Sequence, residues 1–173
     1  MNKSNDSTNT NNKEILEKIK NGYRKFLKND SYLLQIDANE RSITHRFAIY
    51  LEDEFPDYNV DCEYNRECAD IKKISEILNN NISENAISIT HKNGNTISVY
   101  PDIIIHHRGT NGNFIVIEAK KTTNNCKYDE EKLKAYKTDL KYKYAFFIKF
   151  PVGKNLSDFD EEKFDFDDYI KII

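Results

Sequence analysis

Residues Tyr100 to Lys121 read YPDIIIHHRGTNGNFIVIEAKK. Two apolar runs flank a turn rich in Gly and Asn, the pattern of a β-hairpin. The loop RGTNGN centres near Thr110, so the numbers of facing residues add to about 220. On that register Asp102 stands opposite Glu118. Side chains alternate along a strand, so Glu118 and Lys120 share one face and Ala119 takes the other. Two acids and an amine then converge at the open end of the hairpin, an arrangement that needs a reason.

Two reasons are available. Paired carboxylates repel, and the repulsion raises one pKa. A cross-strand salt-bridge cluster at a sheet edge relieves it with lysines alone. A divalent cation relieves it differently. Mg²⁺ takes oxygen ligands, often one or two carboxylates with waters and a phosphate. A cation there polarises a phosphodiester and lowers the pKa of a bound water. Lys120 would stand beside that water, to orient it, help deprotonate it or stabilise developing charge.

The neighbouring segments set the context. Lys13 to Leu27 carries apolar residues at helical spacing and predicts a helix, preceded by a disordered Asn/Ser tail over 1–12. A second helix is expected from Asn39 to Asp53, capped by Asp37 and followed by Pro56. Tyr58 to Arg66 suits a strand. Glu67 to Asn80 has Ile71, Ile74, Ile77 and Leu78 on one face and predicts an inserted helix. AISIT, KNGN and TISVY predict a hairpin through the Asn-Gly turn. A helix from Asp129 to Leu140 and a buried strand from Tyr142 to Phe150 follow the opening stretch. The acidic, aromatic end of the chain is left unassigned.

Pro101-Asp102 followed by Glu118-Ala119-Lys120 resembles the signature of the PD-(D/E)xK nuclease superfamily. The similarity spans Asn39 to Phe150 without the excursion at Glu67 to Asn80. It implies an α/β domain with a restriction-endonuclease-like αβββαβ core, a central mixed sheet flanked by helices, with an N-terminal and an inserted helix added. Residues 31–157 would form that domain, after an N-terminal helix over 13–30 and before an acidic segment over 158–173. The resemblance implies hydrolysis of nucleic-acid phosphodiesters with Mg²⁺ or Mn²⁺, on DNA rather than RNA. Asp102, Glu118 and the backbone carbonyl of Ala119 would hold the metal, with Lys120 assisting water. The alternative is a nuclease-fold binding or regulatory module of a defence or mobile-element assembly.

Glu40 extends the match, since many members carry a glutamate in the helix before the first strand. It shares a helix face with Ile43, Phe47 and Leu51, so it turns toward the core. It also stands at capping-box spacing from Asp37, which is its other explanation. Some helicase-associated members carry Gln-x-x-x-Tyr after the motif, and here Lys132-Leu-Lys-Ala-Tyr136 keeps the tyrosine alone. Lys132 and Tyr136 share a face at i, i+4 and either approach a substrate phosphate or pack together. Lys121 and Arg66 are further phosphate candidates, though Glu63 and Arg66 equally suit a buried acid–base pair. His106 shares parity with Asp102 and faces either the cleft or the solvent edge of the sheet, while His45 and Glu52 read as surface residues.

Bulk properties agree with a single domain of 173 residues, with 38% hydrophobic and 32% charged residues. No apolar run spans a bilayer and no secretory signal opens the chain, so no membrane partner is expected. Cys62, Cys68 and Cys126 fit no zinc spacing, which suggests a reducing cytoplasm. Net charge is −3, but of 26 basic and 29 acidic residues two and seven lie from Asp158 on, leaving 24 and 22. Lys120, Lys121, Lys127, Lys132, Lys134, Lys137, Lys141 and Lys143 cluster in sequence, as a phosphate track or a solvated helix face. Nucleic acid is the expected partner, with a second copy or another protein to complete double-strand cutting.

Overall fold

The structure is a computed structural model that describes residues 4–67, 70–75, 96–122, 127–153 and 164–173. Helices α1 (Ser4–Asp30), α2 (Tyr32–Gln35) and α3 (Glu40–Glu54) come first. Short strands β1 (Asn59–Cys62), β2 (Arg66–Glu67), β3 (Asp70–Ile71), β4 (Lys73–Ser75) and β5 (Thr96–Ser98) follow. Then come β6 (Ile103–His107), β7 (Gly112–Lys121), α4 (Lys127–Asp139), β8 (Tyr144–Phe150), a 3₁₀ turn (Phe166–Asp168) and β9 (Ile170–Ile172).

Five strands form one mixed sheet in the order β1-β6-β7-β8-β9. Its pairs are antiparallel except β7 and β8, which run parallel across the connection through α4. Ile103 faces Ile117, Ile104 faces Val116 and Ile105 faces Ile115, the register expected from the turn. A bulge after Ile105 then brings His106 opposite Asn113. Gly109 takes φ of +72° in the loop, a conformation that a side chain disfavours. Away from the bulge, Ile103, Ile105, Ile115, Ile117 and Ala119 face α1 and α3, while Ile104 and Val116 face α4.

The α1/α3 side is the larger core. Ile15, Ile19, Tyr23, Phe26 and Leu27 of α1 meet Ile43, Phe47 and Leu51 of α3 over the sheet. Gly22 permits that approach, because a Cβ there would stand 2.8 Å from a Leu51 methyl. Tyr23 stacks on Phe150 with centroids 5.4 Å apart, and its hydroxyl donates to the Lys149 carbonyl at 2.8 Å. The α4 side packs Leu133, Tyr136 and Leu140 against Ile104, Val116, Ala145 and Phe147. Among the described residues no helix is long and apolar enough to cross a membrane.

Several elements differ from expectation. The first helix begins at Ser4 rather than Lys13, so residues 4–12 are helical rather than a disordered tail. The helix expected over Glu67 to Asn80 is absent from its described part, which forms β2, β3 and β4. There Lys72 and Ile74 turn inward while Ile71 is exposed, a period of two that tertiary packing imposes. Lys72 reaches Asn113 Oδ1 at 3.0 Å, and Ile74 joins the α4-side core. Residues 86–95 of the expected AISIT hairpin lie outside the described residues; among the described residues β5 pairs with β4. The strand from Tyr58 ends at Cys62, because Glu63 adopts φ of +50°. The acidic end of the chain contributes β9 to the sheet edge and Phe166 to the larger core.

Candidate functional site at the open end of the hairpin

The signature residues gather where β6 enters and β7 leaves the sheet. Asp102 precedes β6, and its Oδ2 accepts from the Ala119 backbone N–H at 2.7 Å. The side chain of Ala119 is buried in the opposite, α1/α3 core. Glu40 arrives from the first turn of α3. Its Oε1 accepts from Lys120 Nζ at 2.8 Å and its Oε2 from the Lys121 backbone N–H at 3.2 Å. Eighty positions of sequence separate Glu40 from Lys120, so only the packing of α3 on the sheet joins them.

The capping alternative for Glu40 falls away. Asn39, not Asp37, is the N-cap, accepting from the Ser42 N–H at 2.8 Å. Asp37 lies at φ of +50° and binds Lys121 Nζ at 2.7 Å. Lys121 is thereby tied to the turn before α3.

Glu118 lies deeper than expected, only 1% exposed. Its Oε2 accepts from Lys132 Nζ at 2.8 Å and its Oε1 from the Tyr136 hydroxyl at 2.9 Å. Lys132 and Tyr136 do share a face of α4, and here both side chains bond Glu118. Arg66 is exposed on β2, in a two-stranded sheet separate from the strands that carry the cluster. Glu63, expected as its buried partner, is exposed and pairs with Arg41 at 2.7 Å. His45 and Glu52 are exposed, as expected.

Asp129 is a further member that the spacing did not reveal. It lies in the first turn of α4, buried, within electrostatic reach of Lys120, Lys132, Asp102 and Glu40. It precedes Lys132 by three positions and Tyr136 by seven, so one helix face carries all three. That periodicity was the available signal.

Four carboxylates (Glu40, Asp102, Glu118 and Asp129) thus surround two ammonium groups, Lys120 and Lys132. Burial dominates the titration of the cluster. Burial, and then the neighbouring Glu118 charge, push the Asp102 carboxyl up to about 7. Burial raises Asp129 despite Lys120 and Lys132, and raises Glu118 despite Lys132. Burial works against the Lys120 charge, but the bond to Glu40 and the nearby Asp129 and Asp102 carboxylates outweigh it and raise its pKa.

Asp102 and Glu40 line one open cleft of about 690 Å³ with Arg41, Thr44, His45, Cys62, Glu63 and Tyr100. The Cys62 thiol at its wall is pushed up to about 11 by burial, so it stays protonated and unreactive at neutral pH. Among the described residues no three His, Cys, Asp or Glu side chains are drawn together so as to hold a metal ion as they stand. The donor chemistry nonetheless fits a hard dication: two carboxylates open on one cleft, within a cluster that carries excess negative charge. Glu118 is the exception, because it is buried and does not line that cleft.

His106 does not face this cleft. It is buried at the other end of the hairpin, 2.8 Å from Asp61, which Arg108 also grips with two nitrogens. No protein-family model, curated protein or solved structure matches the chain.

Proposed function

We propose that the chain is a metal-dependent nuclease, hydrolysing nucleic-acid phosphodiesters with Mg²⁺ or Mn²⁺ and favouring DNA over RNA. The reading begins from the resemblance of Pro101-Asp102 and Glu118-Ala119-Lys120 to the PD-(D/E)xK signature. One observation carries it furthest: Glu40 meets Lys120 across eighty positions, beside an Asp102 that shares its cleft. The order α3, β1, β6, β7, α4, β8 is also that of the αβββαβ core the resemblance implies, which supports a restriction-endonuclease-like fold within this proposal.

In this reading Asp102 and Glu40, with the Ala119 carbonyl, would hold the metal, which supplies Lewis-acid polarisation of the phosphate and an acidified water. The Ala119 N–H orients the Asp102 carboxylate. Lys120 keeps its charge and stands ready to stabilise negative charge on the phosphoryl oxygens. Lys132 and Tyr136 position Glu118, whose burial keeps it off the cleft that Asp102 and Glu40 line. The test is cleavage of plasmid and single-stranded DNA with Mg²⁺ or Mn²⁺, by wild type and Lys120→Ala. Cleavage by wild type alone is expected; equal behaviour of two folded proteins removes the assignment.

The engaged state of Glu118 favours a second reading, a nuclease-fold module that binds without cutting. Calorimetric titration with Mn²⁺ separates the two. Binding that Asp102→Asn weakens supports the nuclease, and an absence of heat supports the module.

A further inference from the structure

The parallel pairing of β7 with β8 brings Lys120 beside Lys149 at the carboxyl ends of both strands. A second cleft, of about 380 Å³, opens there between Lys120, Lys121, Thr122, Lys149 and the rim residues Asp168 and Tyr169. The crevice beyond the carboxyl ends of parallel strands is where α/β sheets commonly receive ligands. Lys120 and Lys121 have carboxylate partners, Glu40 and Asp37. Lys149 differs: among the described residues its ammonium has no ion pair or hydrogen bond. Its backbone, by contrast, is firmly held. The Lys149 N–H donates to Tyr169 O at 2.8 Å, and its carbonyl accepts from the Tyr23 hydroxyl at 2.8 Å. Thr122 is fixed likewise, its N–H donating to Phe150 O at 3.0 Å. A half-buried strand position that presents an uncommitted ammonium beside a hydroxyl and two more ammonium groups is suited to a phosphate oxyanion.

We propose that Lys149, with Lys121 and Thr122, forms a phosphate-binding subsite that takes a backbone phosphate of the nucleic acid next to the one at Asp102 and Glu40. The carrier of the phosphate rests on the nuclease reading; the anion chemistry does not. Exposed Asp168 is the opposing charge at the rim, so it weakens the subsite and its removal strengthens it.

The experiment is fluorescence anisotropy of a labelled single-stranded oligonucleotide and a labelled duplex, titrated with the full chain in EDTA, so that no cleavage is needed. Lys149→Gln is expected to weaken binding about fivefold to tenfold at about 0.1 M salt, and to lower the slope of log K against log salt by about 0.7 to 0.9. Lys28→Gln, the same charge change on an exposed residue of α1, is expected to leave the slope alone. Asp168→Asn is expected to tighten binding. The backbone bonds of residue 149 survive the substitution, and circular dichroism checks that the fold does too. Equal losses in Lys149→Gln and Lys28→Gln, or no loss in either, overturn the subsite. If inorganic phosphate binds in a Lys149-dependent way while the oligonucleotides do not, the nucleic-acid carrier is overturned. Lys149-dependent binding without any cleavage in Mg²⁺ or Mn²⁺ refutes the nuclease reading and leaves the subsite standing. Cleavage with Lys149-independent binding refutes the subsite alone.

Discussion

The two ends of the β6–β7 hairpin carry the same kinds of residue and treat them in opposite ways. At the turn end Asp61 receives both Arg108 and His106. Burial would raise its pKa, but those bonds outweigh burial and lower it. Burial also lowers the His106 pKa against the pull of Asp61. Each acid there has its own partners, and the cluster is a satisfied structural clasp. At the open end burial, and then the Glu118 charge, push the Asp102 carboxyl up to about 7, and the Ala119 N–H, Lys120 and Lys132 do not offset them. A salt-bridge cluster and a frustrated site thus occupy one hairpin. Unrelieved charge distinguishes them, as it commonly distinguishes functional sites.

The comparison breaks first on activity. On the proposed nuclease reading, Lys120→Ala should lower cleavage by at least about a hundredfold, while Arg108→Ala at the turn end leaves it within about twofold of wild type, in a plasmid-nicking assay. Comparable losses would erase the distinction between the two ends. Next in size, Glu118→Gln leaves the Lys132 charge buried without a counterion and should cost about 3 kcal/mol in urea unfolding. A cost near zero would mean that Glu118 is not what holds Lys132.

The two aspartates should then show opposite pH dependence. The Asp102 pKa is raised on folding, so its charge penalises the folded state above about pH 7 and not below about pH 4. Asp102→Asn should therefore stabilise the protein by about 2 kcal/mol at about pH 8 and leave it near neutral at about pH 4, read by thermal melting. Asp61 has a lowered pKa, so its contribution is present above the unfolded carboxyl pKa and is lost as pH falls through the folded one. Asp61→Asn should cost about 1 kcal/mol at neutral pH and progressively less in acid. The same sign of pH dependence at both positions would show that the two ends are alike.

Much of the open end was legible in the chain. The Gly109–Gly112 turn set the register, and the register brought Asp102 to Ala119 and Glu118. Helical spacing turned Glu40 inward. Less legible was how the charges pair. For Lys132 and Tyr136, i, i+4 spacing says that they share a face, not what that face meets. The lysine-rich segment read as a phosphate track or a solvated helix face; Lys132, Lys134, Lys137 and Lys141 place their ammonium groups on Glu118, Glu131, Ile173 O and Thr138 O. Lys149 went unnoticed within an apolar strand, since its place beside Lys120 depends on a parallel register that no turn specifies. The expected helix at Glu67 failed for a similar reason: Lys72 and Ile74 follow the sheet and α4, not their own periodicity.

Local physics written in the sequence therefore determined the hairpin, the helices α1, α3 and α4, and the meeting of Asp102 with Glu118 at the open end. Turn geometry and hydrophobic period act over a few residues and can be read without knowing the rest. Tertiary structure alone decided that Glu40 binds Lys120, that Glu118 is sealed by Lys132 and Tyr136, and that Asp129 and Lys149 border the site. Those outcomes depend on how α3, α4 and β8 dock on the sheet, because burial and long-range pairing, not spacing, determine which charge meets which.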